Sequence, residues 1–267
     1  MPRCTSPVVR GVTVVRLPQH RVAILGYPRT GTNYLASSLG SLPGVTFHPE
    51  PFNPNRVHLA SAAQDATKAA RDADPLGFLD RLERDCATPI LGIKLLPNHA
   101  PEVRRRIIAD PGWRCIVLFR PNFLAVHSSQ LTANRTGVWA SAGQAPQADP
   151  PPLHFEPRRF LSARENFRQF YQEVLTGLDA AGKPFLPLSY IDLLDAVMLR
   201  NAARHAGAVG ALEMSSRLVK QGRWDVVSAF DNRDLVLRTL DSIGRPNWAV
   251  EGGSGLAEAL RDVAAPE

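Results

Sequence analysis

Apolar residues along this chain come in two rhythms. Short, nearly continuous runs occupy Val22–Leu25, Ile90–Leu96, Cys115–Phe119 and Phe185–Ser189, with a shorter one at Val45–His48. Runs of this length, bounded by Gly, Pro or Asn, are expected as strands buried on both faces. Between them, apolar positions recur at helical spacing. From Thr32 a helix is predicted with Tyr34, Leu35, Leu39 and Leu42 on one face, and Pro43-Gly44 marks its stop. Further helices are predicted over Phe123–Ala133 and over Arg158–Ala180, where Phe160, Phe167, Phe170, Val174 and Leu178 share a face. Residues 53–85 are rich in Ala and charge and are predicted helical in their later half. Another helix is expected from Asp192, and a last one from Arg233, ending near Trp248. Val12–Leu17 reads as a first short strand, and the Pro-, Gln- and Ala-rich residues 143–152 as a mobile loop. Strands alternating with helices predict an α/β fold: one domain over 1–267, core about 20–250, with a mostly parallel central sheet flanked by helices.

Composition narrows the class. A chain of 267 residues that is 44% hydrophobic can bury one large core. The net charge of +6 suits an anionic ligand, but no dense Lys/Arg run carries interleaved aromatics, so nucleic acid is not an expected partner. Cys4, Cys86 and Cys115 are far apart and form no CxxC or Cys/His cluster. Neither a metal site nor a disulfide framework is expected, and a reducing compartment follows. Residues 1–10 lack the basic-then-apolar pattern of a secretory signal, and no apolar run is long enough for a bilayer. A cytoplasmic protein with no membrane span is expected.

The densest chemistry lies in Gly26-Tyr27-Pro28-Arg29-Thr30-Gly31-Thr32-Asn33, between a predicted strand and a predicted helix. That context places backbone N–H groups and the positive end of a helix dipole against an anion. Gly31 permits close approach of the backbone, and Thr30, Thr32 and Asn33 can donate hydrogen bonds. A triphosphate loop would carry Lys and Ser/Thr after its second glycine; here Thr32 and Asn33 stand there, and Arg29 is the loop's only cation. A second candidate is Arg120, ending the strand Cys115–Phe119, with Ser128 on the following helix and Ser129 as the adjacent alternative. A strand-end arginine points into the crevice where α/β folds bind ligands. On the residues alone, a solvated arginine and an ordinary helix serine remain the simpler reading.

The loop resembles the 5′-phosphosulfate loop of sulfotransferases that use PAPS (3′-phosphoadenosine 5′-phosphosulfate), roughly P-[KR]-[ST]-G-[ST]-[ST]-x-L. Pro28, Arg29, Thr30, Gly31, Thr32 and Leu35 match; Asn33 departs from the commoner Thr or Ser. Arg120 and Ser128 stand at the spacing at which that family holds the 3′-phosphate. Leu118–Trp139, with Thr136-Gly137-Val138-Trp139, is similar to the bacterial carbohydrate-type subgroup. Lys220, Gln221 and Arg223 resemble a late loop over the adenosine; a solvated basic loop fits those residues as well. Tyr190-Ile191-Asp192-Leu193 resembles a structural element of the family. The resemblance implies a PAPS-dependent sulfotransferase with a P-loop fold, which releases PAP (3′-phosphoadenosine 5′-phosphate) and needs no metal. The acceptor it implies is a hydroxyl or amine of a small molecule or glycan.

For the proton-accepting base, Glu50 in His48-Pro49-Glu50-Pro51-Phe52 is the first candidate, stiffened by its prolines. The resemblance supports it through a comparable E-P-F-like segment. His48 competes, as does His99, since a neutral imidazole does the same work. Arg29 and Lys94 are the cations expected to stabilise developing charge. Lys94 lies inside an apolar run, where an unpaired charge is costly, unless that strand is an edge. Trp139, with His48 and His99, is a candidate acceptor contact, and Arg56, His58, Gln130 and Arg135 are looser ones. Two rival readings stand: a P-loop kinase or nucleotidase, and a non-catalytic PAP-binding protein.

Overall fold

The computed structural model describes residues 17–60, 67–139, 151–210, 213–216, 224–252 and 254–264. The expected strand at Val12–Leu17, the loop over 143–150, and Lys220, Gln221 and Arg223 lie wholly or almost wholly outside them.

Five strands make one sheet: β1 (His20–Gly26), β2 (Val45–His48), β3 (Ile90–Leu95), β4 (Trp113–Phe119) and β5 (Phe185–Ser189). They are ordered β2-β3-β1-β4-β5, and every pairing is parallel. The continuous apolar runs are explained by this burial on two sides. In β1, Ala23 and Leu25 face one core while Val22 and Ile24 face the other, and all four are fully buried. Val22, Ile24 and Leu25 each contribute roughly 1.5–3 kcal/mol of apolar burial.

Helix α1 (Thr32–Gly40) follows β1, and its Leu35 and Leu39 pack on the Val22–Ile24 face together with α7 (Ala196–Ala206). The opposite face is covered by α3 (Pro75–Arg84), α4 (Pro101–Ala109), α5 (Phe123–Thr136), α6 (Pro157–Ala180), α8 (Arg233–Ser242) and α9 (Leu256–Ala264). A short α2 (Lys68–Ala73) precedes α3. Where one helix was expected from Asp192, a 3-10 turn over Asp192–Leu194 precedes α7, because Asp195 breaks the run and caps the second helix by accepting from Val197 N at 2.7 Å. The helix from Arg233 likewise ends at Ser242, and Pro246–Ala249 forms a separate 3-10 turn.

Connections from β1 and β4 leave toward opposite edges of the sheet, β1 toward β2 and β4 toward β5. The crevice between the C-terminal ends of β1 and β4 is therefore the switch point at which such sheets bind ligands. Among the described residues, no helix is long and apolar enough to cross a membrane.

Candidate functional site

The loop leaving β1 is shaped by two left-handed residues, Arg29 at φ 69° and Gly31 at φ 93°. Among the described residues, Arg29 is the only non-glycine in the left-handed region, a sparsely populated conformation that the surroundings must hold in place. Gly31 is required twice over. Its φ disfavours any side chain, and an added Cβ would stand 2.6 Å from Leu193 Cδ1 and 3.1 Å from Tyr190 Cδ2. The Tyr190–Leu193 element thus packs directly on the loop. Asp192 fastens that element by accepting from Ser189 N at 2.7 Å.

Inside the loop, buried Thr30 donates to Tyr27 O at 2.7 Å. Tyr171 of α6, fully buried, accepts from Tyr27 N at 3.2 Å and donates to Leu118 O at 2.5 Å, tying the loop to the end of β4. Burial pushes its phenol upward, so it stays neutral. Helix α1 begins with no side-chain cap on Gly31 and no acidic residue in its first turn. Its first N–H groups have no intrahelical acceptor, and they lie at the positive end of the helix dipole, where negative charge is favoured.

Glu50 and Lys94 come together beside this helix. Lys94 lies on β3, which is interior rather than an edge, and is 1% exposed. Its Nζ donates to Glu50 Oε1 at 2.6 Å and also to Asn33 Oδ1 in the first turn of α1. Asn33, the departure from the commoner Thr or Ser, therefore accepts from the lysine. Glu50 Oε2 accepts from Asn53 Nδ2. The Glu50 backbone is bridged to His58 in both directions, at 3.3 and 3.1 Å. Arg71 of α2, nearly fully buried, holds the same turn by donating to Pro51 O at 3.1 Å and Asn53 O at 2.7 Å. Burial pushes the Glu50 carboxyl upward, but the Lys94 ammonium and the hydrogen bonds from Lys94 and Asn53 outweigh it, so the group is ionised with a lowered pKa. Burial pulls the lysine below its ordinary value, and Glu50 opposes that shift.

The two histidine alternatives differ from Glu50. His48 accepts from Ala60 N at 3.1 Å through Nδ1, so that nitrogen is already engaged with backbone. His99 is fully buried beside the Lys94 backbone, and neither ring nitrogen has a partner of hydrogen-bonding geometry. Burial lowers both rings to about 4; for His99 the Glu50 charge opposes the shift. Both are neutral at pH 7.

At the second strand end, Arg120 is 3% exposed and its guanidinium is engaged. Nε donates to Glu251 Oε1 at 3.3 Å, Nη2 donates to Glu251 Oε2, and Nη1 donates to Arg29 O at 3.0 Å. The guanidinium carbon also lies 4.2 Å from the Tyr190 ring centroid. On α5, the Ser128 hydroxyl donates to Ala125 O within its own helix at 3.3 Å. Ser129 instead meets the loop, accepting from Arg29 Nε at 2.9 Å, and Arg29 Nη1 donates to the Trp139 carbonyl. The Trp139 side chain is about half exposed. Burial and the nearby Arg120 charge lower the Arg29 pKa, against an opposing effect of Tyr190. Of the looser candidates, Arg56 donates to His58 Nε2, Gln130 to Asn134 Oδ1 at 3.2 Å, and Arg135 to Pro152 O at 2.9 Å.

Asn53, Arg71, Tyr171 and Glu251 are site residues that sequence reasoning missed. Asn122 had a readable signal as the residue before a helix. It caps α5 by accepting from Ala125 N at 3.0 Å, and it donates to Trp248 O and Val250 O at 2.9 and 3.0 Å.

Fold and site together define a parallel α/β protein with a strand–loop–helix turn and two arginines at its switch point. No model of a known family and no curated protein matches the chain.

Proposed function

We propose that the protein transfers a sulfuryl group from PAPS to a hydroxyl or amine of a carbohydrate, glycolipid or natural-product acceptor. The observation that carries this reading is the meeting of Glu50, Lys94 and Asn33 at the helix that opens from the Gly26–Asn33 loop. It puts a carboxylate and a cation one residue from a loop built for an anion. The resemblance of Pro28–Leu35, and of the Arg120…Ser128 spacing, to PAPS-dependent sulfotransferases supports the choice of donor.

In this reading the uncapped turn at Thr32 and Asn33 and the Arg29 guanidinium hold the 5′-phosphosulfate. Glu50 takes the acceptor proton as the acceptor oxygen or nitrogen bonds to sulfur. The bond from sulfur to the 5′-phosphate oxygen breaks in line, and PAP departs with that electron pair. Lys94 and Arg29 stabilise the charge that develops, as fixed cations do in phosphoryl transfer. Glu50 then returns its proton to solvent.

Neither strand beside β1 ends on an acidic residue: β3 runs into Leu96-Pro97 and β4 into Arg120-Pro121. This disfavours the magnesium-dependent kinase reading. Thermal unfolding with PAP, and separately with ATP and magnesium, tests the proposal, because a ligand of the folded state raises Tm by mass action. A rise with PAP alone is expected; a rise only with ATP and magnesium would overturn it.

A further inference from the structure

We propose that Glu251 sets the affinity for the donor's 3′-phosphate, as a resident competitor that occupies Arg120 until a phosphate dianion displaces it. The proposal rests on the sulfotransferase reading for the identity of the ligand, and on the Arg120–Glu251 contact for the rest.

Glu251 reaches Arg120 from 131 positions along the chain and takes Nε and Nη2 together, the fork that a phosphate would occupy. The Arg120 and Glu251 side chains are 4% and 2% exposed. The segment that presents Glu251 is well anchored. Its N–H donates to Trp224 O at 2.8 Å, Val226 N donates to Ala249 O at 3.0 Å, and Asn122 grips the carbonyls of Trp248 and Val250. A buried ion pair of this kind is weak evidence for stability, because desolvation offsets much of its attraction. Its position is informative: it lies at the end of β4, and the same guanidinium donates to the Arg29 carbonyl of the loop after β1.

A carboxylate carries one negative charge, whereas a phosphate monoester carries about 1.5–2 at pH 7 and offers three acceptor oxygens. A 3′-phosphate can therefore replace Glu251 on the fork. A ligand with a bare 3′-hydroxyl cannot, and it leaves the Arg120–Glu251 pair in place. The resident carboxylate lowers affinity for every ligand that needs Arg120, and it leaves ligands that do not unaffected.

The test compares dissociation constants of PAP and of AMP, which lacks the 3′-phosphate, for the wild type and Glu251→Gln. The amide keeps the shape of the carboxylate but not its charge. PAP should bind the variant about tenfold or more tightly, a change of about 1.4 kcal/mol, while AMP changes less than about twofold. Unchanged or weaker PAP binding by the folded variant would overturn the assignment. Amide exchange in the wild type needs no variant to fold. PAP, and not AMP, should speed exchange over residues 249–252, which lose their Arg120 anchor; slower exchange there with PAP would also overturn the assignment. If neither protein binds PAP, the donor reading fails as well; if both prefer PAP to AMP equally, that reading stands and the Glu251 assignment alone fails.

Discussion

Replacing Lys94 by Met is the sharpest probe of the pair at the centre of the site. Met fills the space of the lysine stem and removes the ammonium that lies 2.6 Å from Glu50 Oε1. The Glu50 side chain is only 17% exposed, so its charge is left in a poorly solvated position, with Asn53 still donating to it. Removing one partner of a buried pair costs about 3–5 kcal/mol, and the partial exposure of Glu50 argues for about 3. For a domain of this size, that lowers Tm by about 6–12 °C. The pH dependence has a definite sign. In the wild type, the folded pKa of Glu50 lies below its ordinary 4.5, so its contribution is full above that value and is lost as pH falls through the folded one. In K94M, burial raises the pKa without its main opponent, so acidification through the same window favours the variant relative to the wild type. The deficit should shrink to about 1 kcal/mol near pH 4, the scale of a lost neutral hydrogen bond. Urea unfolding of both proteins at pH 7 and near pH 4 reads the difference directly, since titrations common to both cancel. A deficit below about 1 kcal/mol at pH 7, or one that grows on acidification, would refute the pairing.

Glu50→Gln should leave PAP binding within about threefold and lower sulfuryl transfer by about 10²–10⁴-fold, as measured by ligand-induced Tm shifts and product formation. Unchanged transfer would remove Glu50 as the base. Gly31→Ala places a side chain at φ 93° and against Leu193, so a loss of about 1–3 kcal/mol in urea unfolding and abolition of the PAP-induced shift are expected. His48, His99 and His127 are each held near 4 by burial, so their ring resonances should not titrate between about pH 5 and 8 by NMR. The unfolded rings take up protons below their ordinary 6.5, so these three contribute stability that is full above that value and fades as pH falls toward about 4.

The three interior strands were legible because each is buried on two faces and so has no polar alternation to dilute its signal. Val22–Leu25 and Cys115–Phe119 fall inside β1 and β4, with only the ends extended. Helix α4 escaped because three consecutive arginines, Arg104 to Arg106, mask its apolar positions Val103, Ile107 and Ile108. Arg104 is itself buried and donates to Glu173 at 2.9 and 3.0 Å, so a charged letter stands at a core position. In the site, the loop was readable because its chemistry is contiguous. The Lys94–Glu50 pair joins β3 to the turn after β2 across 44 positions, and the reading of Lys94 as an interior residue needed the strand order. Glu251 had no local signal at all, since its meaning comes only from the guanidinium it meets. Ser128 and Ser129 differ by one position, and only the rotation of α5 decides which faces Arg29.

The hydrogen bond from Arg120 to the Arg29 carbonyl has a consequence for cooperativity. Arg29 adopts a left-handed conformation that a non-glycine residue rarely holds, and its peptide oxygen is pinned by the guanidinium at the other strand end. Any movement of Arg120 frees that oxygen and alters the cost of keeping the loop in its anion-binding shape. If the crevice takes the donor as proposed, two half-ligands, one at each end, should not bind additively even when they never touch. Each changes the affinity of the other by the same factor, with a single peptide group as the coupling element.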